Sequence, residues 1–262
     1  MTTSVTQYTI QAGTGQHIGD REEQQDRVAL FTAPNAPGYV MAVLADGMGG
    51  MSGGALAASE VIRTAKLAFE QFSPQKGDIE ALLTTIVHDA DVVIKLTAIS
   101  SDKKPHSTAV ILVITPEKSA FWTHVGDSRL YRFAGQTFAE RTIDHSYVEQ
   151  LVQQGKLQPG EQYTHRLSSV LLNALGNNAS KPQVTVRRYD GLKAEDSFLL
   201  CSDGLWHYFT EAELATVVAG YSPRQAAEIL IHNTRERAAG TSADNCTLAI
   251  VKLAAPSPEA QN

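Results

Sequence analysis

Apolar stretches too short for stable helices recur along this chain, and turn-forming residues separate most of them. They read TQYTIQAG (6–13), DRVALF (26–31), GYVMAVLAD (38–46), STAVILVIT (107–115), SAFWTHVGD (119–127), SRLYRFAG (128–135), PQVTVRRYD (182–190), SFLLCSD (197–203) and NCTLAIVKL (245–253). Runs of this length with links as short as TAPNAP (32–37) build antiparallel sheets.

Two long patterns with helical spacing interrupt the strands. From Ala55 to Phe72 the apolar residues Ala58, Val61, Ile62, Ala65, Ala68, Phe69 and Phe72 fall on one face. From Asp78 to Ile99, Leu82, Leu83, Ile86, Val87, Ala90, Val93 and Ile94 do the same, with Asp78 placed as the N-cap. A shorter helix over 144–155 would end at Gly155. Thr210 and Glu213 form a capping-box pattern, and Ser222-Pro223 opens a last helix that stops before Gly240. Strands grouped around helix pairs indicate an α+β domain. There is no internal repeat and no linker at which to divide it, and the closing AAPSPEAQN (254–262) reads as a frayed tail.

Composition narrows the function. At 262 residues and 43% hydrophobic content, the chain can bury one large core. A formal net charge of -6 without a basic cluster argues against nucleic acid or an anionic membrane surface as partner. No apolar run approaches the roughly 20 residues of a membrane span, and the opening MTTSVTQYTIQAGTGQ lacks the basic start and apolar centre of a signal peptide. A cytoplasmic location is expected. The two cysteines, Cys201 and Cys246, imply no disulfide framework and read as buried small hydrophobes with conceivable redox sensitivity.

The acidic residues carry the chemistry. Asp26 opens one strand-like run and Asp46 closes the next, so a hairpin brings both carboxylates to one sheet edge. By the same logic Asp203, closing SFLLCSD, meets Asp244, just before NCTLAIVKL, while Asp127 closes SAFWTHVGD. A single aspartate at a strand end is usually a turn residue. Five of them in D-G, G-D-S, S-D-G and D-N contexts would repel one another unless a cation lay between them. Hard oxygen donors of this kind suit Mg²⁺ or Mn²⁺. Gly47, lacking a side chain, can bring its carbonyl oxygen close to an ion.

REEQQD (21–26), LADGMGG (44–50), HVGDSRLYRF (124–133), IDHSYVEQLVQQG (143–155), LLCSDGLW (199–206) and SADNCTLAIVKL (242–253) occur in the order seen in metal-dependent protein phosphatases of the type 2C (PPM) group. The chain resembles the compact bacterial form over residues 5–253, with a flap at about 144–180. The resemblance implies a four-layer α-β-β-α sandwich, two antiparallel sheets flanked by helix pairs. It also implies hydrolysis of phosphoserine and phosphothreonine in proteins, opposed by a Ser/Thr kinase. Asp46 would bridge two metals with the Gly47 carbonyl as a further ligand, and Asp203 and Asp244 would complete the first metal's shell. Asp26 would hold metal-bound water or ligate directly, and Asp127 would serve a weaker third ion. Arg21 would grip the phosphate with its planar fork. Paired metals hold a shared water as hydroxide for in-line attack on phosphorus.

The match departs from the family at the proton donor. Many relatives carry a histidine two or five positions past the bridging aspartate, where this chain has Met48 and Met51. Metal-held water is the first candidate acid and His145 the second. Trp206 and His207 follow Asp203 closely enough to line a site, though Trp206 is expected in the core. Two other readings use the same residues: a pseudophosphatase that binds phosphoproteins or kinases without turnover, and a metallohydrolase of small phosphoesters.

Overall fold

The computed structural model describes residues 8–49, 53–99 and 104–255. Two five-stranded antiparallel sheets form its centre. The first is built from β1 (Thr9–His17), β8 (Arg129–Ala134), β9 (Thr137–Arg141), β11 (Asp196–Cys201) and β12 (Cys246–Ala254), in the order β1-β12-β11-β8-β9. The second joins β2 (Arg27–Ala33), β3 (Ala36–Ala45), β6 (Ala109–Ile114), β7 (Ser119–Val125) and β10 (Arg187–Asp190), in the order β10-β7-β6-β3-β2. A two-residue pair, β4 (Gly47–Met48) with β5 (His106–Ser107), extends beyond β3 at the end where the acidic residues gather.

The nearly continuous apolar runs are explained by burial on both faces. In β3 and β6, Ala42, Leu44, Val110 and Leu112 point between the sheets, where they meet Phe198, Leu200, Ala249 and Val251. Their neighbours Met41, Val43, Ile111 and Val113 point outward onto α1 (Gly53–Gln71) and α2 (Ile79–Ile99). On the other side, Leu199, Cys201, Leu248 and Ile250 pack under α4 (Asp203–Trp206), α5 (Glu211–Gly220) and α6 (Pro223–Arg237). Strands covered on both sides lose the polar alternation of a half-exposed sheet. The expected four-layer sandwich is what forms.

Several local expectations hold in detail. Asp78 Oδ1 accepts the Ala81 amide at 2.7 Å, and Thr210–Glu213 and Ser222–Gln225 both close full capping boxes. The short helix α3 (Tyr147–Gln153) starts at its N-cap Ser146, and Gly155 turns with φ 68° just beyond it. Others shift. α1 already begins at Gly53, two residues before the expected Ala55. β11 stops at Cys201 and Asp203 opens α4, so Asp203 stands on a helix start and does not close a strand. Only Arg187–Asp190 of the run 182–190 is strand, and β9, β4 and β5 went unread. Ala254, placed in the tail, still pairs with Thr9, while 256–262 and Met51 lie outside the described residues.

Candidate metal centre

The β2–β3 ladder runs to the Arg27–Ala45 pair, and the next step puts Asp26 opposite Asp46. On the first sheet, Ser202 donates its amide to the Thr247 carbonyl at 3.0 Å, which draws the β11 end and the β12 start together. Asp203 and Asp244 therefore reach the same place from the other sheet. Asp127 arrives between β7 and β8, after Gly126 has turned with φ 101° against the side chain of Thr108. Asp46, Gly47, Asp127, Asp203, Asp244 and Arg21 line one cleft of about 730 Å³. Asp26 is buried beneath it, only 1% exposed.

Asp26 and Asp46 are set by neighbours that the sequence did not single out. Ser202 donates its hydroxyl to Asp26 Oδ2 at 2.8 Å and accepts the Thr247 amide at 3.0 Å. Thr108 Oγ1 accepts the Asp46 amide at 2.9 Å. Asn245 takes the Gln25 amide at 2.7 Å and donates to the Ile18 carbonyl at 2.8 Å, which ties the Arg21 loop to the start of β12. Ser202 and Asn245 sit inside the S-D-G and D-N signatures, so their adjacency to the acids was the signal available. Gly47 has a reason beyond its carbonyl. A Cβ there would collide with the backbone of Gly54 in α1 and stand 2.7 Å from the Gln25 carbonyl oxygen.

Electrostatics set this cleft apart. Burial, and after it the charges of Asp26, Asp203, Asp127 and Asp244, hold the Asp46 carboxyl well above the usual range. Burial likewise raises Asp203, lifts Asp26 to about 6, and lifts Asp127 to about 8 with Asp203 adding to it. Carboxylates that raise one another this way cannot all ionise without positive charge among them. Among the described residues, no group of three or more Asp, Glu, His or Cys is closed up tightly enough to hold an ion as it stands. Asp26 is engaged by Ser202, and Asp244 by Arg21. The donor chemistry nonetheless fits hard divalent cations: oxygen only, partly open to a cleft, and short of compensating charge.

Arg21 does not pair with Glu22 or Glu23. Its fork closes on Asp244, Nε to Oδ1 at 2.9 Å and Nη2 to Oδ2 at 2.7 Å. His145 does not face the carboxylates. It lies in a neighbouring pocket, stacked on His124 at 4.2 Å and bonded to Asn173 at 3.1 Å, and burial lowers it to about 4. Trp206 is 6% exposed and belongs to the core, yet its edge also lines the cleft. Burial pushes the Cys201 thiol well up and that of Cys246 to about 12, which keeps both out of the thiolate form that oxidation requires.

The protein phosphatase 2C family matches residues 13–235. The serine/threonine protein phosphatase PstP of Mycobacterium tuberculosis is 31% identical over 169 residues, 64% of this chain. The match spans about a third of that relative, 32% of its length. The serine/threonine phosphatase stp of Listeria welshimeri is 27% identical over 237 residues, 88% of this chain and 91% of its own. Among solved structures, the S. agalactiae serine/threonine phosphatase superposes with TM-score 0.85 at 24% identity, covering 93% of this chain and 99% of that one. The catalytic domain of PstP in complex with 2 manganese ions gives TM-score 0.78 at 23% identity, covering 94% and 98%.

Proposed function

The chain belongs to the protein phosphatase 2C family, and we infer that it is a metal-dependent hydrolase of phosphoserine and phosphothreonine in proteins. The observation that carries this reading is the set of five aspartates whose charges converge on one cleft without matching cations. Asp46, at the centre of that repulsion, is the natural bridge between two ions, with the Gly47 carbonyl beside it. Asp203 and Asp244 would complete one ion's shell, Asp26 would support from below, and Asp127 would serve a weaker third ion. Mn²⁺ and Mg²⁺ both suit these donors. When bound, such ions polarise phosphoryl oxygens and acidify water near neutral pH.

The protein's own groups supply the rest. Arg21, on the cleft rim, presents the planar fork that fits phosphate oxygens, and it must first leave Asp244. Ser202 and Thr108 hold Asp26 and Asp46 in place through the hydrogen bonds described above. Met48, half-buried on the cleft, cannot donate a proton to the departing alkoxide. The flap supplies α3 and the turn around Tyr163 to the cleft wall, where it would meet the substrate protein. A Ser/Thr kinase is the expected opponent in the cytoplasm. Among the described residues no helix is long and apolar enough to cross a membrane.

The test is hydrolysis of a phosphothreonine peptide by metal-stripped protein titrated with Mn²⁺ and then Mg²⁺. Turnover should rise with either ion, vanish with chelator, and fall on the order of 10³-fold in Asp46→Asn and Asp203→Asn. Absence of turnover in protein that demonstrably binds the ions would overturn the enzyme reading in favour of a binding module.

A further inference from the structure

The flap meets the cleft at an aromatic point. Tyr163 ends the single turn Glu161–Tyr163, and its ring centroid lies 5.9 Å from that of Trp206 and 6.1 Å from that of His207. The Trp206 and His207 rings are themselves stacked at 3.9 Å. This group is held from behind. Trp206 Nε1 donates to the Asp127 carbonyl at 3.0 Å, and the Arg129 guanidinium lies 3.5 Å from the Trp206 ring centroid. His207 Nδ1 meets the Asp203 carbonyl at 2.9 Å. Tyr163 is nevertheless 44% exposed. A large ring left open on a fixed aromatic base, in the wall of the cleft that holds the carboxylates, is positioned to take a side chain of something bound there.

The charge of the same wall says which side chain. Of the other acids lining the cleft, Asp20 pairs with Arg235 and Asp144 with Arg129, whereas Glu22 and Glu23 are exposed, and Arg21 is the one Lys or Arg among its described lining residues. Ions at the aspartates would leave Glu22 and Glu23 uncompensated. Arginine is the side chain that both stacks on aromatic faces and answers carboxylates. Resting on the phosphatase reading, we propose that the Tyr163–Trp206–His207 shelf seats the residue flanking the phosphoamino acid and that, with Glu22 and Glu23, it selects phosphopeptides with a basic flank. Tyr163 is then a specificity-determining residue for the hydrolysis.

Three phosphothreonine peptides that differ only in carrying Arg, Leu or Glu beside the phosphoresidue test this. Each kcat/KM is divided by the rate of the same variant on p-nitrophenyl phosphate, which corrects for partial misfolding. The wild type should prefer Arg over Glu by about 10-fold, with Leu between, and less so as salt is added. Tyr163→Ala should bring the Arg and Leu peptides within about twofold of each other, whereas Tyr163→Phe keeps the gap because the ring face is retained. Glu22→Gln with Glu23→Gln should narrow the Arg-to-Glu ratio. A wild-type preference for Leu or Glu, or a gap that survives Tyr163→Ala, overturns the inference. So does equal loss in Tyr163→Phe. Hydrolysis of p-nitrophenyl phosphate with equal rates on all three peptides defeats the shelf and leaves the phosphatase reading standing. No hydrolysis of any substrate with Mn²⁺ defeats both.

Discussion

Two groups of buried charge lie close together at this end of the sandwich, and they are built in opposite ways. Arg129 and Asp144 are 3% and 7% exposed and close a two-point pair, Nε to Oδ1 at 2.8 Å and Nη2 to Oδ2 at 2.7 Å. The Arg129 guanidinium also reaches the Tyr131 hydroxyl at 3.1 Å and lies over Trp206. Every charge there has its opposite. The five aspartates have almost none: burial and one another's charge raise Asp46, Asp127 and Asp203, and Arg21 engages Asp244 alone. The first group is complete within the chain. The second requires something the chain does not contain, and this separates a structural ion pair from a binding site.

Breaking the complete group should cost most. Asp144→Leu leaves the buried Arg129 without its carboxylate, and chemical denaturation should register a loss of about 3–5 kcal/mol, whereas Arg129→Met costs less because Arg141 still reaches Asp144 at 3.8 Å. The double variant should fall closer to wild type than either single one. A smaller change of the opposite sign is expected from the incomplete group. Without metal, Asp46→Asn should stabilise by on the order of 1 kcal/mol because it removes one repelling carboxylate. The same substitution should lower metal-dependent turnover on the order of 10³-fold. Stability gained together with function lost is the signature of a site held in reserve for a ligand.

The pH dependence sharpens the contrast. An acid whose folded pKa is raised binds more protons in the folded state than in the unfolded one, so stability falls as pH rises through the interval between the two values. Asp127, raised from 3.8 to about 8, keeps this slope running between pH 6.5 and 8, and the raised Asp46 acts in the same sense. His124 and His145, both lowered by burial, give a smaller opposite slope at the lower end of that window, where the unfolded imidazoles still bind protons. Metal-stripped protein should therefore melt several degrees lower at pH 8 than at pH 6.5. Saturating Mn²⁺ should flatten or reverse the trend, since ion binding favours the ionised acids. A metal-free melting temperature that rises over this interval would contradict the repulsion.

The smallest effect concerns the one partial compensation. Arg21→Ala should free Asp244 and tighten Mn²⁺ binding a few-fold in calorimetry, while raising KM for a phosphopeptide by roughly tenfold. Arg21→Lys should restore little of the KM, because an ammonium cannot reproduce the fork.

Much of this arrangement was legible in the residues. Apolar runs of strand length, two amphipathic patterns and capping signals such as Thr210–Glu213 are local properties, and local propensity and the packed result agree there. The five aspartates stood out because they recur at the boundaries of apolar runs: Asp46, Asp127 and Asp203 where a run ends and a glycine or serine follows, Asp26 and Asp244 where one begins. Other features depended on what happened to lie opposite in space. Asp203 was read as a strand end, and only the turn of the chain at Ser202 makes it the first residue of a helix. Gly47 suggested an exposed carbonyl, yet the contact that forbids a side chain comes from Gly54, on a helix that folds back over it. No spacing rule joins Arg129 to Asp144 and Trp206, or Tyr163 to His207. What the sequence determined by itself was the kind of chemistry: a surplus of carboxylates at the boundaries of apolar runs, and a fold of antiparallel layers to carry them. Tertiary structure alone decided which charges found partners, because compensation is a property of distance, and distances between remote segments exist only once the two sheets have packed.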